Sequence, residues 1–246
     1  MGGPVVKLPK FIERKTAIEA AIYKGIAQRN ADDQVKTDER VLRASGIGQC
    51  PRRLWARLQG IPDERGFSDR ILAVFHLGHV LEDVVIDYLV DAGFPVSDQQ
   101  KRVELSLFDG FVRGHIDGIV TIRGEQHLLE IKTANERRYD ALVEVGYEEW
   151  SPAYRDQIQT YMGLLDLPST IVVVYNKNDS RIYVEKVQFE RKAYNACIKK
   201  AVDVLASDET PPPRPYDARN KSCDFCRWCD NKEWCWGPTS EVSFDR

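Results

Sequence analysis

Apolar residues recur every three or four positions through residues 11–30, FIERKTAIEAAIYKGIAQRN, the spacing of an amphipathic helix. A polar stretch, NADDQVKTDER, follows it. In SGIGQCPRRLWARLQG a second helix is predicted, with Pro51 at an early helical position and Gly60 as its stop. Residues 70–92, RILAVFHLGHVLEDVVIDYLVDA, form a long apolar-periodic helix that Gly93 ends. The texture then changes to β-branched and alternating runs, VELSLF, FVRGHIDGIVTI and HLLEIKTA. Asp109-Gly110 and Gly124-Glu125 separate them as hairpin signals, so residues 103–134 are predicted to be a three-stranded antiparallel meander. Helical sequence returns at 135–165, and TIVVVYNKNDSRIYVEKVQF gives two more strands around an Asn-Lys-Asn-Asp turn. A helix at 190–206 leads to PPPRP, residues 211–215, a stiff connector. The order predicts a mixed α/β (α+β) core with a small terminal appendage. Three regions are expected: an N-terminal helical extension (1–43), a core (44–206), and a proline linker with a cysteine-rich segment (207–246).

Composition changes this picture little. Hydrophobic residues make up 43% and charged residues 30%, as in ordinary soluble globular proteins. No apolar run approaches the roughly 20 residues of a transmembrane helix. The N-terminus lacks the apolar stretch of a signal peptide, and Val6 stands where a myristoylation signal needs Ser or Thr. A cytoplasmic protein without a membrane partner is expected. The net charge of −3 neither marks nor excludes a nucleic-acid binder.

Candidate chemistry sits in the middle of the chain. On the predicted meander, Asp117 falls on the second strand and Glu130 and Lys132 on the third. Glu130 and Lys132 are two apart and so share a face, and the turn at Gly124-Glu125 brings Asp117 alongside. LLEIKT embeds the acid and the lysine in an apolar strand, where a carboxylate must be paired or hold a metal. Carboxylate oxygens suit hard cations such as Mg²⁺ or Mn²⁺. The alternative is a solvated polar face.

GHIDG, twelve residues, then Glu130-Ile131-Lys132 resembles the PD-(D/E)xK nuclease superfamily, with Ile116 where the name expects proline. Further pieces stand in the order of its RecB-like branch. Gly78-His79-Val80-Leu81-Glu82 lies on the long helix, where these nucleases place a metal ligand, and Glu82 occupies the ligand position. His79, one turn earlier, reads as a neighbour of the ligands or a surface residue. Gln157-Ile158-Gln159-Thr160-Tyr161 fits the QxxxY motif, whose two side chains share a helix face. The resemblance implies a restriction-endonuclease-like central mixed sheet flanked by helices. It also implies that Glu82, Asp117, Glu130 and the Ile131 carbonyl hold Mg²⁺ or Mn²⁺, that Lys132 positions water or stabilises the transition state, and that Gln157 and Tyr161 orient lysine and substrate. His115 and His127 match no part of the signature and read as strand residues.

The segment CDFCRWCDNKEWCW, residues 223–236, holds four of the six cysteines. Short CxxC spacing in a reducing compartment favours metal ligation over disulfides. The CRISPR-associated RecB-like nucleases, the AddB nuclease domain and phage exonuclease relatives resemble this chain over about residues 45–236. They carry one early cysteine and three late ones around a 4Fe–4S cluster. Cys50 fits the early position, and Cys226, Cys229 and Cys235 fit the late spacing. Cys223 leaves an alternative open, a local Zn²⁺ site of Cys223, Cys226, Cys229 and Cys235. Cys197 reads as a buried small hydrophobe. Trp228, Trp234 and Trp236 read as apolar shielding of the metal centre, with base stacking as the rival. Arg52 and Arg53 read either as phosphate contacts or as a solvated helix start.

The resemblance thus implies a metal-dependent deoxyribonuclease, an exonuclease on single-stranded DNA or duplex ends, with 5′-to-3′ digestion favoured. Recombination, repair or spacer acquisition are the implied settings, and phages a common source. A different class of reading is a DNA-end-binding scaffold that docks a recombination or integrase-type protein. A zinc-ribbon regulator is a third.

Overall fold

The structure, a computed structural model, describes residues 10–32, 40–62, 68–207, 209–215, 226 and 229–237. The chain divides into two compact units, residues 1–38 with 66–80 and residues 39–65 with 81–246. Among its described residues the first unit holds helix α1 (Lys10–Asp32) and the first turns of α3 (Asp69–Asp91), as the periodicity predicts. Its apolar positions Ile18, Ile22, Ile71, Val74 and Phe75 are exposed.

The second unit carries the sheets. It begins with β1 (Val41–Arg43), a 3-10 turn and α2 (Pro51–Leu58), followed by the rest of α3. Strands β2 (Val96–Ser97), β3 (Arg102–Leu107), β4 (Gly110–His115), β5 (Gly118–Ile122) and β6 (Glu125–Ala134) come next. Helices α4 (Glu136–Val145), α5 (Tyr147–Trp150) and α6 (Pro152–Leu165) lead to β7 (Ser169–Asn176) and β8 (Ile182–Gln188). Helices α7 (Arg191–Leu205) and α8 (Lys232–Trp236) complete it. Pro51 and Pro152 open their helices, and Gly60 and Gly93 follow theirs at positive φ, 67° and 86°.

The predicted meander is corrected in one respect. FVRGHIDGIVTI is two strands, not one, and they belong to different sheets. A three-stranded sheet has the order β1-β4-β3, and a five-stranded mixed sheet has the order β2-β5-β6-β7-β8. The chain passes from one to the other at Ile116–Asp117. The fully buried Ile116 still donates its N–H to Lys101 O (3.1 Å). Gly118 already runs so close to β2 that a Cβ there would stand 2.9 Å from Val96 Cγ1. Asp117 therefore sits in the bend between sheets.

In the larger sheet β6 and β7 pair in parallel and the remaining neighbours are antiparallel. The crossover from β6 to β7 carries α4, α5 and α6, the long connection a parallel pair requires. Both central strands read as near-continuous apolar runs because both faces are covered. On one face Val85 and Ile86 of α3 pack against Val120, Leu129, Ile131, Ile171 and Val173. On the other, Leu128, Val172 and Val174 share a core with Ile158 and Met162 of α6 and Ala201 and Val204 of α7. Among the described residues no helix is long and apolar enough to cross a membrane.

Candidate active site

Strand β6 is longer than its antiparallel partner β5, which ends its pairing at Gly118 opposite Leu129. Beyond Leu129 the β5-side edge of β6 has no strand. The Asp117 carboxylate takes up the bond that is missing there, accepting from the Ile131 N–H at 2.7 Å. The bend that removes Asp117 from the ladder thus turns its side chain back onto it. Glu130 and Lys132, on one face as the pleat predicts, form an ion pair. Glu130 is fully buried, and Gln157 of α6 donates to both of its oxygens at 3.0 and 3.4 Å. The Gln157 amide thus reaches Lys132 through the carboxylate they share. Lys132 also lies over the Tyr154 ring, 5.3 Å from its centroid, and is 3.4 Å from the Ile131 carbonyl.

Glu82 comes to this group from α3. Burial, and then repulsion from Asp117, push its pKa up to about 7, against the pull of Gln100 and Lys132. Gln100 Nε2 donates to Glu82 at 2.5 Å. Gln100 and Asp98 both adopt left-handed backbone, φ 52° and 53°, in the loop that makes this contact. Burial likewise raises Glu130 to about 7 despite the Lys132 charge. Burial alone would lower Lys132, but the Glu130 and Asp117 charges outweigh it and hold the ammonium well above its ordinary value. Tyr161, the other QxxxY residue, is buried with its hydroxyl packed on Gly114, where a Cβ would overlap it. Burial, then Glu130 and Asp117, push its phenol above the ordinary range.

The structure therefore gathers Glu82, Asp117, Glu130, Lys132 and Gln157, with Tyr161 behind them. Among the described residues no three His, Cys, Asp or Glu side chains are disposed to hold a metal ion together. The physical reason is visible at each acid: Asp117 is engaged by a backbone N–H, Glu130 by lysine and glutamine, Glu82 by glutamine. The donor set nonetheless fits a hard cation. The Asp117 charge helps raise Glu82, and Asp117 and Glu82 help raise Glu130; a divalent ion would relieve that repulsion. His127 is buried away from the motif residues, 2.7 Å from Ser169 Oγ on the neighbouring strand.

Cys50, at the start of α2, lines one cavity with Cys226, Cys229 and Cys235. All four are half-buried, and burial raises the thiols of Cys50 and Cys229, which further feel Cys235. The four thiols are donors of the type that soft metals and clusters take, although among the described residues no three of them are disposed to hold one together. Cys223 and Trp228 lie outside the described residues. Trp234 stacks on Trp55 (5.8 Å, 20° between planes) beneath the Arg52 guanidinium, and Arg214 covers Trp236, so both rings serve packing. Arg52 and Arg53 are half-buried and engaged by the C-terminal part of the chain. Arg52 donates to Pro212 O at 2.8 Å, and Arg53 pairs with Asp230 at 2.5 Å. Cys197 is buried, its Sγ 3.7 Å from Asp156 O.

Sequence reasoning missed Gln100, Tyr147 and Tyr154. None belongs to a motif, and only the aromatic crowding of GYEEWSPAY marked the last two.

No family model and no curated protein matches the chain. Solved structures do. A crystal structure of SSO0001 superposes with a TM-score of 0.57 at 17% identity, over 89% of this chain and 96% of that one. The alkaline exonuclease LHK-Exo from Laribacter hongkongensis gives a TM-score of 0.51 at 18% identity, over 67% of this chain and 86% of its own. The same enzyme crystallised with dAMP gives 0.51 at 19%. At these identities the likeness establishes a shared fold, the restriction-endonuclease-like mixed sheet with flanking helices.

Proposed function

We propose that the chain is a divalent-cation-dependent deoxyribonuclease that degrades DNA from ends or single strands. The observation that carries this is the convergence of Glu82, Asp117, Glu130 and Lys132 at the end of the β5–β6 pairing, with Gln157 clamped on Glu130. The fold likeness to an alkaline exonuclease studied with a mononucleotide, dAMP, points to the same substrate class. Glu82, Asp117 and Glu130, with the Ile131 carbonyl, would hold Mg²⁺ or Mn²⁺. Bound there, the cation would polarise the scissile phosphate and acidify a water. The protein's own part is positional. Asp117 is fixed by the Ile131 N–H, Glu130 by Gln157, and Lys132 by Glu130 and the Tyr154 face, so the ammonium can orient water or offset charge on the phosphate. At the second site Cys50, Cys226, Cys229 and Cys235 would hold a 4Fe–4S cluster, with zinc as the alternative; its role would be to tie α2 to the C-terminal segment.

The test is digestion of end-labelled single-stranded and duplex DNA with Mg²⁺, Mn²⁺ or EDTA, with Lys132→Ala beside the unaltered protein. Cation-dependent cutting lost in the variant supports the reading, and the label gives polarity. DNA binding without cutting by metal-replete protein would refute it in favour of an end-binding scaffold. Iron and sulfide analysis against zinc decides the cysteine site.

A further inference from the structure

Lys132 is held by the Glu130 carboxylate and by the face of Tyr154. In the nuclease reading Glu130 shares its charge with a cation, and its hold on the ammonium weakens. A largely buried ammonium needs another acceptor, because a charge left uncompensated there is costly.

One acceptor beside it is unspent. Tyr147 is fully buried, and its hydroxyl has no hydrogen-bond partner among the described residues. Orphaned buried hydroxyls are uncommon in native proteins. The ring is also fixed. It stacks on Tyr154 at 6.4 Å and lies against Trp150 at 6.0 Å. Its backbone N–H donates to Glu185 Oε2 at 2.9 Å, and that carboxylate also accepts from the Tyr183 hydroxyl. Gly146, at φ 78°, makes the turn that delivers it there. The ring therefore cannot swing out in search of water. The Lys132 ammonium and the Tyr147 ring both lie against Tyr154, at 5.3 and 6.4 Å from its ring centroid, so the two side chains share one neighbourhood, and the charges of Glu130 and Lys132 are felt at the phenol.

We propose that Tyr147 is a positioning residue for Lys132: its hydroxyl oxygen accepts from the ammonium when a cation engages Glu130, and so keeps the lysine aimed at the phosphate. The proposal rests on the nuclease reading, and its test separates the two. Tyr147→Phe removes one unpaired oxygen and keeps the ring. In EDTA its urea midpoint should equal or exceed that of the unaltered protein, since nothing at rest is lost. Its KM for DNA should stay within about twofold while kcat falls roughly ten- to hundredfold, the range of a hydrogen bond to a charged group. A second readout needs no cutting: acylation of Lys132 by acetic anhydride, followed by peptide mass spectrometry. The two proteins should react equally in EDTA, and Tyr147→Phe several-fold faster in Ca²⁺.

Unchanged kcat, or equal acylation in Ca²⁺, overturns the proposal. So does a marked loss of stability in EDTA, which would mean the hydroxyl already serves a resting partner. If the unaltered protein cuts no DNA while the Ca²⁺-dependent difference in acylation appears, the nuclease reading fails and the tyrosine–lysine coupling stands.

Discussion

Replacing Lys132 by methionine keeps the volume of the side chain and removes its charge, and the structure fixes how the cost depends on pH. In the metal-free protein Glu130 is fully buried and its pKa is raised from 4.5 to about 7. A carboxyl raised on folding binds its proton more tightly in the folded state, so its contribution to stability is complete below pH 4.5 and declines as pH rises through 7. The decline is about 1.4 kcal/mol per pH unit. Above about 7 the unaltered protein stops losing, because Glu130 is then ionised and paired with Lys132. In Lys132→Met the pairing charge is gone, Glu130 must stay protonated, and the decline continues. The two stability curves should run in parallel below pH 7 and diverge above it. At pH 8.5 the gap from this cause should be about 2 kcal/mol, one and a half units at the same slope. Urea unfolding in EDTA at pH 6 and pH 8.5 measures it, with midpoints rather than slopes expected to move. A gap of the same size at both values would refute the reasoning, since the lysine would then act through packing alone.

Three other outcomes are expected. Gln157→Leu removes the only amide on Glu130 that the structure records and should slow DNA cutting about tenfold or more, by gel assay, with little change in DNA binding. Gly163→Ala should lower the urea midpoint by about 1–3 kcal/mol of stability, because a Cβ there would lie 2.6 Å from Tyr194 Cγ and force α6 off α7. If the cysteines hold the cluster or zinc proposed above, removing it should open the chain to trypsin at Arg214 and weaken the near-ultraviolet signal of the Trp55–Trp234 stack, while far-ultraviolet dichroism keeps the sheet; an unaltered near-ultraviolet spectrum would count against the tie.

Much of this was legible because it is local. The 3.6-residue period of α3, the apolar run of β7 and the hairpin pair Gly124-Glu125 each report a neighbourhood of a few residues. Glu130 and Lys132 share a face by the two-residue repeat alone. What was not legible depends on distant chain. FVRGHIDGIVTI carries an Asp-Gly pair at Asp117-Gly118, but that pair does not say that the chain changes sheets there; the change is imposed by the second sheet and by the close pass of Gly118 under β2. Gln100 reaches Glu82 only through two left-handed residues that no motif announces. Tyr147 looks like any aromatic core residue until its hydroxyl is seen to lack a partner. Spacing marked Cys226, Cys229 and Cys235 as a group, but only the family resemblance brought in Cys50, and the roles of Arg52 and Arg53 depended on where Pro212 and Asp230 came to rest.

The ties around α2 bear on how the protein is made. Arg52 reaches Pro212, Arg53 reaches Asp230, Trp55 donates to Ser207 O at 2.7 Å, and Asn231 donates to Pro62 O at 3.3 Å. Each joins residues more than 150 positions apart, so none can form while the last part of the chain is still inside the ribosome. The strands, α6, α7 and the core face of α2 can find one another first, while the ties from α2 to the C-terminal segment close the longest loops and are expected late. A chain released early would keep every carboxylate of the candidate active site and still lack its clasp.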